Sequence, residues 1–305
     1  MNKIYYENAS EEEKKFLDAY DPGDWLRPSV TADIVIFTVD PEGHLCVVLI
    51  KRKDYPYKDA WALPGGFLKV GEESVYKTAE RELKEETGLS GVFLQQLMTY
   101  SDPDRDPRMH VVSVAHFALV PYSKLFKGND SVLVAGDDAD QVDLFQISKM
   151  LIGIQGYKEF AGYRYVFMPI LSNYRIEEQV YGRESYSKDS YKRSKFQSYY
   201  QPGMIGSENL AFDHYLIIKS AIDRLVGRKD YCLDLFNLLE NASEFTIAEY
   251  KRIYDAISFE KSDNANFRKM FKNRYVKTGI VESLERKTAS TKPAMLYKYV
   301  GKKEG

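Results

Sequence analysis

The sequence predicts an α+β chain in two parts: a strand-rich part that carries one acidic helix, then a smaller helical part closed by a hairpin. Three observations carry this. The β-branched run Thr31–Val39 and the apolar run His44–Ile50 flank Pro41-Glu42-Gly43, the composition of a hairpin turn. The stretch from Ser74 to Thr87 contains no breaker and ends at Gly88, where a helix C′ glycine belongs. Beyond Gly203, Gly206 and Ser207 the apolar residues return at helical spacing, and two short runs, Ile280–Leu284 and Met295–Val300, then finish the chain as a second hairpin.

At 305 residues the chain exceeds one typical domain, and two are expected, 1–207 and 208–305. Hydrophobic residues make up 44% and aromatics 14%, enough for real cores and too much for a disordered chain. The net charge of −2 hides an asymmetry. Residues 1–207 hold 25 Lys+Arg against 31 Asp+Glu, whereas 261–303 hold 12 against 3. Such a split predicts an acidic catalytic part joined to a part that meets an anion. Cys46 and Cys232 give no disulfide framework, which points to a reducing, cytoplasmic compartment. No run of about 18 apolar residues exists, so no membrane partner is expected.

In chain order, a short polar helix is expected at Glu11–Tyr20, followed by the turn Asp21-Pro22-Gly23-Asp24 and the first hairpin. Lys51-Arg52-Lys53 closes its second strand. After the acidic helix, Val92–Met98 and Met109–Val120 read as strands. Between them Ser101-Asp102-Pro103-Asp104-Arg105-Asp106-Pro107-Arg108 is an irregular loop. Val142–Ile147 reads as a further strand and Tyr157–Phe167 has hairpin character. About 149–207 reads as an insertion, in which Tyr186–Tyr200 interleaves Tyr with Lys and Arg and is expected to cap substrate or form a dimer interface. Leu210-Ala211-Phe212-Asp213-His214 is expected to open an amphipathic helix running to about Val226, with His214 structural. Tyr231–Leu239 is a second apolar segment, and Thr246 with Glu249 forms a capping box for a third helix.

Asp263 is expected to begin a fourth helix. Phe267, Met270 and Phe271 face inward there, and Asn266, Arg268, Lys269, Lys272 and Arg274 lie on the surface. Two helices on a short turn, the second polar and basic outside, form a helix-turn-helix arrangement. Asn and Arg suit base edges, and Lys suits phosphates. The tip Arg286–Lys292 of the closing hairpin adds a basic wing, so a winged helix that binds double-stranded DNA is expected.

On the acidic helix, Glu82, Glu85 and Glu86 at i, i+3, i+4 place three carboxylates on one side. Like charges that close repel, and a hard divalent cation removes that cost. Read alone, the pattern is more often a solvated face served by Lys77, Arg81 and Lys84. Its context decides otherwise. Arg81-Glu82-Leu83-Lys84-Glu85-Glu86-Thr87-Gly88-Leu89, with Pro64-Gly65-Gly66-Phe67 before it and Glu73 eight positions ahead of Arg81, resembles the signature of the Nudix hydrolase superfamily. The resemblance implies an α/β/α sandwich on a mixed sheet and a Mg²⁺ or Mn²⁺ site on Glu82, Glu85, Glu86 and Gly66. It also implies hydrolysis of a nucleoside diphosphate derivative, with Glu73, Arg81, Glu82 and Glu86 as the catalytic set. The loop is one residue longer than the family pattern, which leaves Glu72 and Glu73 as rivals to support Arg81.

The Asp-Pro-Asp-Arg-Asp-Pro-Arg loop and Trp61–Phe67 further resemble the ADP-ribose-type Nudix enzymes and the Nudix-related regulators of NAD metabolism. That likeness implies Arg105 and Arg108 as substrate ligands beside Arg52, ADP-ribose as substrate, and a homodimer. The leading expectation is a metal-dependent hydrolase, with a nucleotide-sensing transcriptional regulator as the alternative. The three helix carboxylates and Arg81 are all present, which favours retained chemistry.

Overall fold

The structure is a computed structural model that describes residues 3–21, 23, 26–127, 130–136, 139–153, 161–169, 178–180, 210–289 and 293–301. Two short helices, α1 (Lys3–Asn8) and α2 (Glu11–Ala19), precede the sheet. Only α2 was expected from the sequence. Its Ser10–Glu13 capping box fixes where it starts.

Nine strands then form one mixed sheet. Its strands are β1 (Ser29–Val39), β2 (Leu45–Arg52), β3 (Trp61–Ala62), β4 (Gly65–Phe67), β5 (Phe93–Tyr100), β6 (Val111–Leu119), β9 (Ala139–Gly153), β10 (Ala161–Pro169) and β11 (Glu178–Val180). Between β6 and β9 lies a separate two-stranded ribbon, β7 (Phe126–Lys127) with β8 (Asp130–Ser131). The main order is β11-β10-β9-β2-β1-β6-β5, with β3 on β2 and β4 on β1. Strand β1 runs parallel to β6 and antiparallel to β2 and β4. The last expected strand runs past Ile147 to Gly153 and pairs with β10 from Phe145–Pro169 to Gly153–Ala161, so the start of the expected insertion enlarges the sheet. Tyr186–Tyr200, Gly203, Gly206 and Ser207 lie outside the described residues.

The side-chain period of two on β1 separates the two faces of the sheet. Ala32, Ile34 and Ile36 pack with Ala79 and Leu83 of α3 (Val75–Thr87). Val35, Phe37 and Val39 face the other way, toward α4 (His214–Arg228), whose Ile217, Ile218, Ala221, Ile222 and Leu225 share their cluster. A strand buried on both faces reads as the continuous apolar run seen in the sequence. The sandwich thus takes one of its helical layers from the C-terminal part of the chain.

Beyond α4 the winged helix has its own aromatic centre. Phe236, in a short 3₁₀ turn at Asp234–Leu238, stacks between Tyr250 and Tyr299 at 4.5 and 4.3 Å. Helix α5 (Ile247–Ser258) begins at the expected Thr246–Glu249 capping box. Helix α6 (Asn264–Phe271) is capped by Asp263 and continues as a single π turn, Lys272–Val276, which the sequence did not announce. Strands β12 (Phe245–Thr246), β14 (Met295–Tyr299) and β13 (Val281–Lys287) close it in that order. Among the described residues no helix is long and apolar enough to cross a membrane.

Candidate functional site

Helix α3 starts where the Ser74 hydroxyl accepts the Lys77 N–H and stops at Gly88, in left-handed backbone at φ 75°, whose N–H donates to the Lys84 carbonyl. Those two caps set the phase of the acidic residues between them. Arg81 sits at the centre. Its Nε and Nη2 donate to the two oxygens of Glu73 at 3.1 and 2.8 Å, Nη2 also to the Phe67 carbonyl at 3.1 Å, and Nη1 to Glu82 at 2.6 Å and Glu85 at 2.9 Å. Glu73 rather than Glu72 is therefore the partner of Arg81, and the extra loop residue is absorbed before it. Arg81 hydrogen bonding pulls the Glu73 carboxyl down to about 2. Glu82 is pushed up, chiefly by burial, against the opposing pull of Arg81.

The three helix carboxylates do not converge as expected. Glu82 and Glu86 are buried and Glu85 is exposed. Glu82 and Glu85 share Arg81, whereas Glu86 turns away to accept the Gly65 N–H at 2.6 Å. That bond fixes β4 against α3. A Cβ on Gly65 would stand 2.4 Å from the Ala32 carbonyl, so backbone requires glycine there, whereas one on Gly66 would stand 2.1 Å from a Glu82 oxygen and would displace that carboxylate. An open cavity of about 740 Å³ lies along the outer side of α3, lined by Glu73, Arg81 and Glu85 among others.

The three expected substrate arginines divide. Arg108 is partly exposed, paired with Asp106 at 2.8 Å, and lies 5.3 Å from the Phe67 ring and 5.9 Å from that of Phe212. Arg52 lies 5.0 Å from the same Phe212 ring, and its Nε donates to the Pro56 carbonyl at 2.9 Å. Both guanidiniums thus gather about the Phe212 ring. Arg105 does not. It is buried, donating to Asp213 at 2.9 and 2.6 Å and to Asp33 at 3.3 Å. Burial opposes its charge, but these carboxylates outweigh that and raise its pKa. Its loop neighbours give no hint of this, because its partners lie 72 and 108 residues away.

Sequence reasoning also missed what leads into α4. Leu210–Asp213 is not helical; the helix begins only at His214. The Ala211 N–H donates to the Trp61 carbonyl at 2.7 Å, and Leu210 bridges Trp61. Buried His214 accepts the Leu63 N–H on Nδ1 at 2.9 Å, and burial lowers its pKa. No residue type in that stretch signals a strand-like dock.

On the winged helix, Asn266, Arg268, Lys269 and Lys272 are exposed, while Phe267 and Phe271 are buried. Arg274 is half-buried and pairs with Asp230 at 3.2 Å. The outer face of α6 is therefore polar and cationic on an apolar mount, as an anion-binding helix requires.

Residues 28–160 match the NUDIX domain and residues 235–299 match the NrtR DNA-binding winged helix domain. The chain joins a Nudix domain to an NrtR-type winged helix. Over 289 residues, 94% of this chain and 88% of the relative, it is 27% identical to an ADPR responsive transcriptional repressor, NtrR, of Acinetobacter baylyi. Over 126 residues it is 40% identical to an ADP-ribose pyrophosphatase of Methanocaldococcus jannaschii, spanning 41% of this chain and 66% of that enzyme. A MutT/nudix family protein from Enterococcus faecalis has a similar crystal structure, with TM-score 0.64, 26% identity, and 97% and 96% of the two chains covered.

For a divalent cation, the donors of this Nudix site fit in kind. Carboxylates and a glycine carbonyl are the hard oxygens that Mg²⁺ takes, and Gly66 lets backbone stand close to the Glu82 carboxylate. Among the described residues no three acidic, His or Cys side chains are already gathered as a ligand set. The reason is visible: Arg81 holds two of the carboxylates and the Gly65 N–H the third.

Proposed function

We propose that the chain is a nucleotide-responsive DNA-binding regulator. Its Nudix domain takes a nucleoside diphosphate derivative of the ADP-ribose class, and its winged helix, acting in a homodimer, binds operator DNA. The observation that carries this reading is the exposed face of α6, where Asn266, Arg268, Lys269 and Lys272 stand clear of a buried aromatic row. The repressor likeness runs through 94% of the chain, whereas the enzyme likeness spans 41% of it. Lys269 and Lys272 meet phosphates, and Asn266 and Arg268 reach base edges in the major groove. In the Nudix domain the guanidiniums of Arg52 and Arg108 meet the diphosphate, cation to anion.

The test is direct. Duplexes selected from a random library by the full-length protein are titrated at several salt concentrations. Each phosphate contact contributes about 0.9 to the slope of log affinity against log salt, and Lys269→Ala and Lys272→Ala each lower the slope by about 1. A salt-independent affinity, or slopes unchanged in both variants, contradicts the reading.

A second reading is favoured by one observation: the Glu73–Arg81 pair and all three helix glutamates are intact. On it the domain also hydrolyses its nucleotide. Glu82, Glu85, Glu86 and the Gly66 carbonyl would hold Mg²⁺ or Mn²⁺, which when bound neutralises diphosphate charge and lowers the pKa of water. Arg81 keeps the loop and Glu73 in place around them, and Glu86 holds Gly65 and so the backbone that faces the substrate. With Mg²⁺ and ADP-ribose, turnover by the wild type and a loss of about 100-fold or more in Glu86→Gln is expected. No turnover, or equal turnover in the two, contradicts it.

A further inference from the structure

We propose that the segment Leu210–His214 is part of the nucleotide site, and that Phe212 positions Arg52 and Arg108 for a nucleoside diphosphate. This rests on the reading that the Nudix domain binds such a ligand. The segment lies between the two matched domains, outside both, yet it is fastened to the site on either side of the ring. Leu210 and Ala211 dock on Trp61; Asp213 takes two bonds from Arg105; His214 accepts the N–H of Leu63, two residues before Gly65. These anchors hold Phe212 between them in left-handed backbone, φ 53°, a conformation that bulky residues rarely adopt.

The side chain that this backbone presents is not a plug. Leu210, Ala211, Asp213 and His214 are buried, but Phe212 is only half-buried. Its ring lies 5.0 Å from the Arg52 guanidinium and 5.9 Å from that of Arg108, with the Tyr57 ring 4.7 Å away. Phe67, on β4, flanks Arg108 at 5.3 Å. An aromatic ring attracts cations through its quadrupole while leaving their N–H donors available to an anion. Two like charges that would otherwise separate are thus kept beside one ring. Phe212 is a positioning residue acting through the two arginines.

The experiment titrates the full-length chain with ADP-ribose in EDTA by calorimetry, using wild type, Phe212→Leu, Phe212→Tyr, Arg52→Gln and the double variant Phe212→Leu/Arg52→Gln, with a melting temperature for each. Phe212→Leu is expected to weaken binding by about 5–10-fold and Phe212→Tyr, which keeps the ring, by less than about 2-fold. The double variant is expected to lose less than the product of the two single losses, because the ring acts in part through the Arg52 guanidinium. Wild-type affinity in Phe212→Leu, losses that multiply in the double variant, or losses that track melting temperature across the series overturn the proposal while leaving nucleotide binding intact. Absence of binding by the wild type overturns both.

Discussion

Gly66 shows most sharply what a single residue decides in this molecule. With a Cβ only 2.1 Å from a Glu82 oxygen, Gly66→Ala must move either β4 or the carboxylate that Arg81 holds. Nucleotide binding and any turnover are expected to fall about 10-fold or more in Gly66→Ala, measured beside the melting temperature; wild-type kinetics would show that the backbone does not need to come this close. His214 supplies a pH dependence. It is buried, with Asp33 of β1, Asp213 beside it, Arg52 at the end of β2 and Arg105 from a neighbouring loop acting on it. Its folded pKa is lowered, so below its ordinary value of 6.5 the unfolded chain takes up a proton that the native state resists. The stability held above about pH 6.5 therefore declines as pH falls, by at most about 1.4 kcal/mol per unit. Denaturation midpoints between pH 7.5 and 5.5 should decline less steeply in His214→Gln, which keeps an acceptor for Leu63; parallel profiles would refute the assignment. That a loop glutamate supports Arg81 was legible from the motif, but the choice of Glu73 over Glu72 was not. Arg105 was not, because spacing along a loop does not reveal a carboxylate more than 100 residues away.

Elements with their own stop and start signals were readable; those defined by what they dock on were not. Helix α3 runs from the Ser74 cap to Gly88, and α5 opens at its Thr246–Glu249 capping box, because caps are local chemistry. Removing the second box should show this. Thr246→Ala loses the hydroxyl that accepts the Glu249 N–H at 3.2 Å and is expected to cost about 1 kcal/mol in chemical denaturation, whereas a change below about 0.3 kcal/mol would mean that packing alone holds the helix start. The segment before α4 gave the opposite result. Leu210–His214 reads in sequence as the opening of a helix. Its backbone instead bonds to Trp61, a long-range partner that outweighs local preference. The π turn after α6 was equally invisible, since Phe267, Phe271 and Tyr275 keep the i, i+4, i+8 spacing that an uninterrupted helix would give.

At the scale of the whole molecule, sequence charge separated an acidic part from a basic one, yet the apolar core does not divide there. One cluster runs from Val35 and Phe37 on the sheet through Ile218 and Leu225 of α4 to Phe236, Tyr250 and Phe271. Polar contacts continue the junction: Arg224 donates to the Leu97 carbonyl at 2.5 Å, and Arg252 to that of Pro41 at 3.0 Å. Two parts joined by a shared core should not move independently, which on the proposed reading gives a nucleotide on one a route to DNA on the other. If each ligand changes the other's affinity, the coupling is reciprocal and is a free energy that can be read from either side. The measurement that tests this account most directly is fluorescence anisotropy of a selected DNA duplex bound to the full-length protein, repeated across an ADP-ribose titration. The account predicts that saturating ADP-ribose shifts the DNA affinity by about 5-fold or more, in the 1–3 kcal/mol range of ordinary allosteric coupling. An affinity that ADP-ribose leaves unchanged, or no DNA binding at any salt concentration, would contradict it.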